Sequence, residues 1–292
     1  MISKQAITSY CSEKNIPAYR AKQILHALYK EGKTSFQEIS VLPRRLQEML
    51  VNHFALFSFT VVREVVSKSG DTVKTLFKFP DGKLIEGVLM RFRDGRNSVC
   101  VSSQVGCGLK CVFCATGTMG FIRNLTAEEI ADQVLYFDHW LKKNEKNPLH
   151  ARVNHVIFMG MGEPLLNYDN VIKSIRILND PELLGIAARH ITISTSGVLP
   201  GIEKLGHETI QVNLAISIHA PNQILREKLM PIAKAYKLDA LMTAISSYIQ
   251  KTRRRISYEY VMLKNLNDSE ELARQFGQLI KGQMCHVNLI PY

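Results

Sequence analysis

Long apolar runs are the first thing this 292-residue sequence lacks. Nothing in it approaches the roughly 20 residues needed to cross a bilayer. The opening "MISKQAITSYCSEK" likewise has no apolar stretch of the kind a signal peptide carries. A membrane or secreted protein is therefore not expected, and a cytoplasmic location follows. With only 10 prolines and 17 glycines, and no solenoid-type repeat, collagen-like and low-complexity chains are excluded too. Six cysteines in a reducing compartment do not make a disulfide framework. Acidic residues are also in deficit, with 26 Asp and Glu against 37 Lys and Arg, a net charge of +11. The excess is uneven: residues 1–96 carry 16 basic and 9 acidic side chains, and residues 97–292 carry 21 and 17. The first third is thus expected to face a polyanion, because Lys and Arg beside phosphates gain affinity by releasing counterions. A merely well-solvated basic surface accounts for the charge equally well.

The pattern along the chain changes period twice. In residues 3–50, "AYRAKQILHALYKEG" puts Ile24, Leu25 and Leu28 on one helical face before Gly32, and "LPRRLQEML" begins another helix with Pro43 in its first turn. Next come "SFTVVREVV", "TVKTLFKF" and "KLIEGVLMRF", parted by the turn signals "SKSGD" and "PDG", which predict an antiparallel meander closed by "RDGRN". The expected division is a helical, polyanion-facing module over 1–52, a meander over 53–96 and an α/β region over 97–292. In that last region strands are expected at 99–105, 153–159, 190–194, 211–218, 256–262 and 286–290. Amphipathic stretches alternate with them, such as "TAEEIADQVLYFDHWLKKN", where Thr126 and Glu129 form a capping box. Six alternations predict a parallel sheet, either doubly wound or curved into a partial barrel. Ligand sites on such sheets gather at the carboxyl ends of the strands. Those ends run into the cysteine cluster, "GMGEP", "STSG", "SIHA" and "NLIPY".

Cys107, Cys111 and Cys114 stand in "QVGCGLKCVFCATG". Their spacing also suits one helical face, but Gly106 and Gly108 favour a loop wrapped around a metal centre. Two centres remain open at this point. One is a closed zinc site with Cys100 as fourth ligand; the other is an iron–sulfur cube on three thiolates with one iron left open for a small molecule.

The C-x-x-x-C-x-x-C spacing followed by "GMGEP" resembles the radical S-adenosylmethionine (SAM) enzymes. Within them, "CVSSQVGCGLKCVFCATG", "MGMGEPLLN", "ITISTSGV", "LAISIHAPN" and "VNLIPY" resemble the RlmN/Cfr family. That family methylates carbon-2 or carbon-8 of an adenine in large-subunit ribosomal RNA, with transfer RNA a further substrate of the RlmN branch. The resemblance covers nearly the whole chain. It implies an α/β fold, a partial (β/α)6 parallel barrel preceded by a small α+β module. It also implies that Cys107, Cys111 and Cys114 hold three irons of a 4Fe-4S cluster whose fourth iron is chelated by SAM. Gly162 and Glu163 match contacts to the amino-acid end of SAM, and Ser194, Ser217, Ile218, His219 and Asn288 match its other contacts. Glu86 matches the proton acceptor, and Cys100 the thiol that resolves a protein–RNA intermediate by forming a disulfide.

Each of these roles has a plainer alternative. His219 reads equally as a satisfied strand-end histidine, Glu86 as a solvent-facing strand residue, and Cys100 as a small buried one. Cys11 and Cys285 match no motif. The partners implied are ribosomal or transfer RNA and a low-potential electron donor such as a flavodoxin-type protein, acting on a monomer. "CATGTMGFIRNL" follows the RlmN form and favours carbon-2. Candidate phosphate contacts are the basic side chains of residues 20–45, "RFRDGR" and "KTRRR". The family's methyl-carrying cysteine sits in a C-terminal tail, whereas here no cysteine follows Cys285; a truncated chain that cleaves SAM without methylating is therefore expected. Carbon-8 methylation, another radical SAM activity on RNA, and a zinc-stabilised RNA-binding protein are the alternatives.

Overall fold

The computed structural model describes residues 3–292. In chain order its main elements are α1 (Lys4–Glu13), α2 (Ala18–Tyr29), α3 (Arg44–His53), β1 (Thr60–Val66), β2 (Thr72–Lys78), β3 (Leu84–Arg91), β4 (Asn97–Cys100) and β5 (Gln104–Cys107). There follow α4 (Ala115–Thr118), β6 (Gly120–Asn124), α5 (Ala127–Asn144), β7 (His155–Phe158), α6 (Tyr168–Asn179), β8 (Ile191–Thr195) and α7 (Leu199–Leu205). The chain closes with β9 (Asn213–Ser217), α8 (Gln223–Leu229), α9 (Leu238–Thr252), β10 (Ile256–Met262), α10 (Glu270–Leu279) and β11 (Cys285–Pro291). These elements form two compact units. Among the described residues no helix is long and apolar enough to cross a membrane.

The first unit takes in the chain up to Ser102 together with 125–156 and 169–187. Its sheet runs β1-β2-β3-β4, antiparallel throughout. The meander expected from the turn signals is present, and it has a fourth strand: β4 pairs with β3 through Val88↔Cys100 and Arg91↔Asn97. Helix α5 begins with the capping box read from the sequence, Thr126 N–H donating to Glu129 and Glu129 N–H to the Thr126 hydroxyl. One face of α5 buries Ile130, Val134, Phe137 and Leu141, spaced as a helical stripe requires. Phe59, Phe77, Tyr136 and Phe137 stack edge-on beneath it. In α2, the buried Ile24, Leu25 and Leu28 are the predicted stripe, but the helix ends at Tyr29, before Gly32.

The second unit takes in 103–124, 157–168 and 188–292. Its strands β8, β9, β10 and β11 are neighbours in that order and parallel, as the strand–helix alternation predicts. The chain is thus of the α/β class. Two expectations need correction. The strand predicted over 99–105 is two strands, because residues 101–103 leave the ladder between β4 and β5. There Ser103 and Gln104 both donate their N–H groups to the Met161 carbonyl, at 2.8 and 3.1 Å. Beyond the break, β5 pairs antiparallel with β6, a strand the periodicity did not reveal. Only glycine allows the closure: Gly106 has φ +72°, and a Cβ there would sit 1.9 Å from the Gly120 carbonyl oxygen. The second correction concerns covalent links. None of the six cysteines is in a disulfide, so the one implied by the resemblance is no part of this fold.

Candidate active site

The three clustered cysteines lie on the connection from β5 through α4. Cys107 ends β5, Cys111 follows Lys110 in the left-handed region at φ +55°, and Cys114 precedes α4. Two short turns fold this loop, from Cys114 N–H to the Cys111 carbonyl at 3.1 Å and from Gly117 N–H to the Cys114 carbonyl at 3.0 Å. A Cβ on Gly117 would press to 3.2 Å of the Cys111 backbone nitrogen. Val112 N–H donates to the Leu229 carbonyl at the end of α8, which anchors the loop to the parallel part of the unit.

All three thiols open onto one cavity of about 230 Å³. Its remaining walls come from the ends of the parallel strands and include Gly162, Glu163, Ser194, Ser217 and His219. Strand register explains this convergence, because Ser194 stands opposite Ala215, Ser217 opposite Glu259, and Glu259 opposite Asn288. The residues spread over 180 positions of sequence meet because parallel strands end on one side.

The electrostatics of the cavity are set by burial. Cys111 is pushed up to about 12, first by desolvation and then by the neighbouring Cys114 and Cys107; burial raises Cys107 as well. Metal binding must therefore displace thiol protons. Glu163 is buried, and desolvation raises its carboxyl above the ordinary range, while hydrogen bonds oppose the shift. One of its oxygens accepts from Leu165 N–H at 3.1 Å and the other from Ser196 N–H at 2.8 Å. His219 is held neutral, burial driving it down to about 3, with the nearby Arg226 charge adding to the effect. Its Nδ1 accepts from Val261 N–H at 3.0 Å, so the ring proton sits on Nε2. Phe113 of the cysteine loop stacks edge-on against the imidazole, with centroids 4.7 Å apart.

Gly162 is the tightest point of the wall. Its φ is +102°, and a Cβ there would lie 2.5 Å from Gln104 Cβ and 2.8 Å from the Gln104 backbone nitrogen. The Gln104 side chain in turn accepts from Glu163 N–H at 2.9 Å and donates to Asn124, at 2.8 Å.

Other residues singled out in the sequence sit differently. Ile218 is fully buried; its N–H donates to the Glu259 carbonyl at 3.1 Å, and its own carbonyl accepts from Ala220 N–H. Asn288 is exposed, and its Nδ2 donates to Glu259 Oε2 at 2.9 Å. Glu86 and Cys100 belong to the first unit. Glu86, on β3, is half-exposed and pairs with Lys74 at 2.8 Å, while its carbonyl accepts from the Ser102 hydroxyl. Cys100 ends β4, half-buried opposite Val88. Sequence reasoning missed Glu259 and Arg226. The signal for Glu259 was an acid in the middle of the apolar run "ISYEYVM"; it is buried and lines the cavity. Arg226 is completely buried on α8, and nothing in "QILREKL" distinguishes it from a solvated helix cation.

Among the described residues no three His, Cys, Asp or Glu side chains converge as ligands of a single ion. Three thiols spread along one cavity wall instead suit a polynuclear cluster, where each sulfur binds a different iron. On the cavity's other walls the carboxylates of Glu163 and Glu259, hydroxyls including those of Ser194 and Ser217, and a neutral imidazole offer acceptors and donors for a small polar molecule.

Residues 101–276 match the model of the radical SAM superfamily. The chain is 45% identical over 94% of its length to a "Probable dual-specificity RNA methyltransferase RlmN 2" of Protochlamydia amoebophila, covering 75% of that protein. It is 45% identical over 98% of its length to the RlmN counterpart of Lysinibacillus sphaericus, covering 73% of it. The chain thus spans about three quarters of the length of these relatives. A crystal structure of a radical SAM methyltransferase from Sphaerobacter thermophilus superposes with a TM-score of 0.92 at 40% identity, covering 99% of this chain and 83% of that one.

Proposed function

Since this chain belongs to the radical SAM superfamily, and within it to the RlmN family, we propose that it methylates carbon-2 of an adenine in large-subunit ribosomal RNA and in transfer RNA. The observation that carries the reading is the single cavity lined by Cys107, Cys111, Cys114, Glu163, Ser194, Ser217 and His219. In this reading the three thiolates hold a 4Fe-4S cluster. When bound, that cluster supplies the low-potential electron that cleaves SAM reductively. Glu163 faces the ammonium of SAM, where a carboxylate is the complementary charge. Ser194 and Ser217 supply hydroxyl hydrogen bonds, and His219 donates from Nε2. Asn288 acts through Glu259, holding its carboxylate in the middle of β10. Gly162 lets the segment that carries Glu163 pack directly against Gln104, where a Cβ would clash.

On the RNA side, Glu86 removes the adenine ring proton, a role supported by its place in "KLIEGVLM". The basic excess of residues 1–96 supports phosphate contacts by the first unit. The test is anaerobic reconstitution with iron and sulfide, followed by SAM, dithionite and an adenine-containing ribosomal RNA fragment, with nucleosides read by mass spectrometry. Deoxyadenosine is expected from SAM cleavage, and 2-methyladenosine when a methyl-carrying thiol is supplied. 8-Methyladenosine replaces the regiochemistry, deoxyadenosine alone even then reduces the reading to SAM cleavage, and neither product overturns it.

A further inference from the structure

Arg226 is among the largest fully buried side chains of the protein. Its Nη2 donates to the Ser196 carbonyl at 2.7 Å, while Nε and Nη1 have no hydrogen-bond partner. Among the described residues no carboxylate pairs with it. A buried cation without a counter-ion is costly, so its retention at the back of a site points to an anion supplied from elsewhere. Its surroundings indicate which. Ser196, which holds the guanidinium, lines the same cavity as the three thiols. Helix α8, which carries Arg226, is tied by the Leu229 carbonyl to Val112, the residue after Cys111. Cys111 itself packs against Leu229 and Met230 at the end of that helix.

We propose that Arg226 is a positioning residue that acts through the cysteine loop: its fixed positive charge behind Cys111 favours the one-electron-reduced state of a cluster held there. The inference rests on the cluster reading above. Adding one electron to a thiolate-ligated cluster makes the assembly one charge more negative, and a desolvated cation nearby stabilises that state more than the oxidised one. The electron comes from an external low-potential donor, dithionite in the test. Burial lowers the guanidinium only to about 10, and the neighbouring Cys111 raises it, so the charge persists at neutral pH. His219, the other titratable group beside it, is neutral and adds no competing charge.

The experiment is a redox titration of the reconstituted full chain, followed by electron paramagnetic resonance, for wild type, Arg226→Gln, Arg226→Met and Arg226→Lys. The neutral variants are expected to bind as much iron and sulfide as wild type. At a fixed potential, however, their reduced-to-oxidised ratio falls about tenfold, a midpoint shift of about 59 mV for one electron. Arg226→Lys, which keeps the charge, is expected to stay within about twofold of wild type. Loaded neutral variants with an unchanged midpoint overturn the proposal, as does a lysine variant that shifts as far as the glutamine one. Should neither neutral variant fold, Arg226→Lys decides alone: a near-wild-type midpoint supports the role, and a tenfold shift overturns it. A wild-type chain that takes up no iron overturns the cluster reading, and this inference with it.

Discussion

Replacing Gly162 by alanine tests the packing of the cavity wall against Gln104. At φ +102° the residue occupies a region that side chains other than glycine's rarely enter, at a cost of about 1–3 kcal/mol. The added methyl would meet Gln104 Cβ at 2.5 Å and the Gln104 backbone nitrogen at 2.8 Å. Gln104 cannot easily retreat, because its N–H is bonded to the Met161 carbonyl and its side chain to Glu163 N–H. Overpacking of this kind adds about 1–3 kcal/mol, and a broken hydrogen bond about 1 kcal/mol more. The sum, about 3–7 kcal/mol, is a large part of the 5–15 kcal/mol typical of a whole domain. Urea unfolding followed by far-UV circular dichroism should show that loss. SAM binding should weaken as well, since Glu163 must move with Gly162. Gly277→Ala is the control: a Cβ in α10 meets nothing within 4 Å, so helix propensity should stabilise the protein by about 0.5–1 kcal/mol. A Gly162→Ala protein within about 1 kcal/mol of wild type would refute the close-approach argument.

Asp132 carries a pH signature. Burial pushes its carboxyl from 3.8 to about 7, so its contribution to stability is complete below the unfolded value and is lost as pH rises through about 7. The wild-type urea midpoint should fall between about pH 4 and pH 7, and Asp132→Asn should flatten that slope; parallel slopes would refute the assignment. Single alanine replacements of Cys107, Cys111 or Cys114 should each abolish iron uptake under reconstitution. Cys11→Ala, buried in α1, should cost stability and leave iron binding intact, and iron retention by any of the three would count against the cluster. The exposed Lys74–Glu86 pair contributes about 0–1 kcal/mol, so Glu86→Gln should unfold like wild type while losing methylation. Loss of both together would make Glu86 a structural residue.

What could be read in advance was local or periodic. The α2 stripe, the capping box of α5 and the meander's turns depend on neighbours within a few residues, where propensity and hydrophobic period act directly. The cysteine loop was legible because its spacing and glycines lie within one short segment. The break at 101–103 and strand β6 were not, since both depend on a carbonyl at Met161 and on a hairpin closure at Gly106 that no window spans. Glu259 and Arg226 were missed for the same reason. An acid in a strand and an arginine in a helix look ordinary until their burial is known.

The sequence by itself determined most of the elements, their α/β order, the thiol loop and the family, because each is written in short-range pattern. Only the tertiary structure decided which side chains share the cavity. It brought Ser217 and Asn288 to either side of Glu259 and set an unpaired guanidinium behind the thiols. Strand register and desolvation produce those juxtapositions, and both are properties of residues distant in sequence brought together out of water.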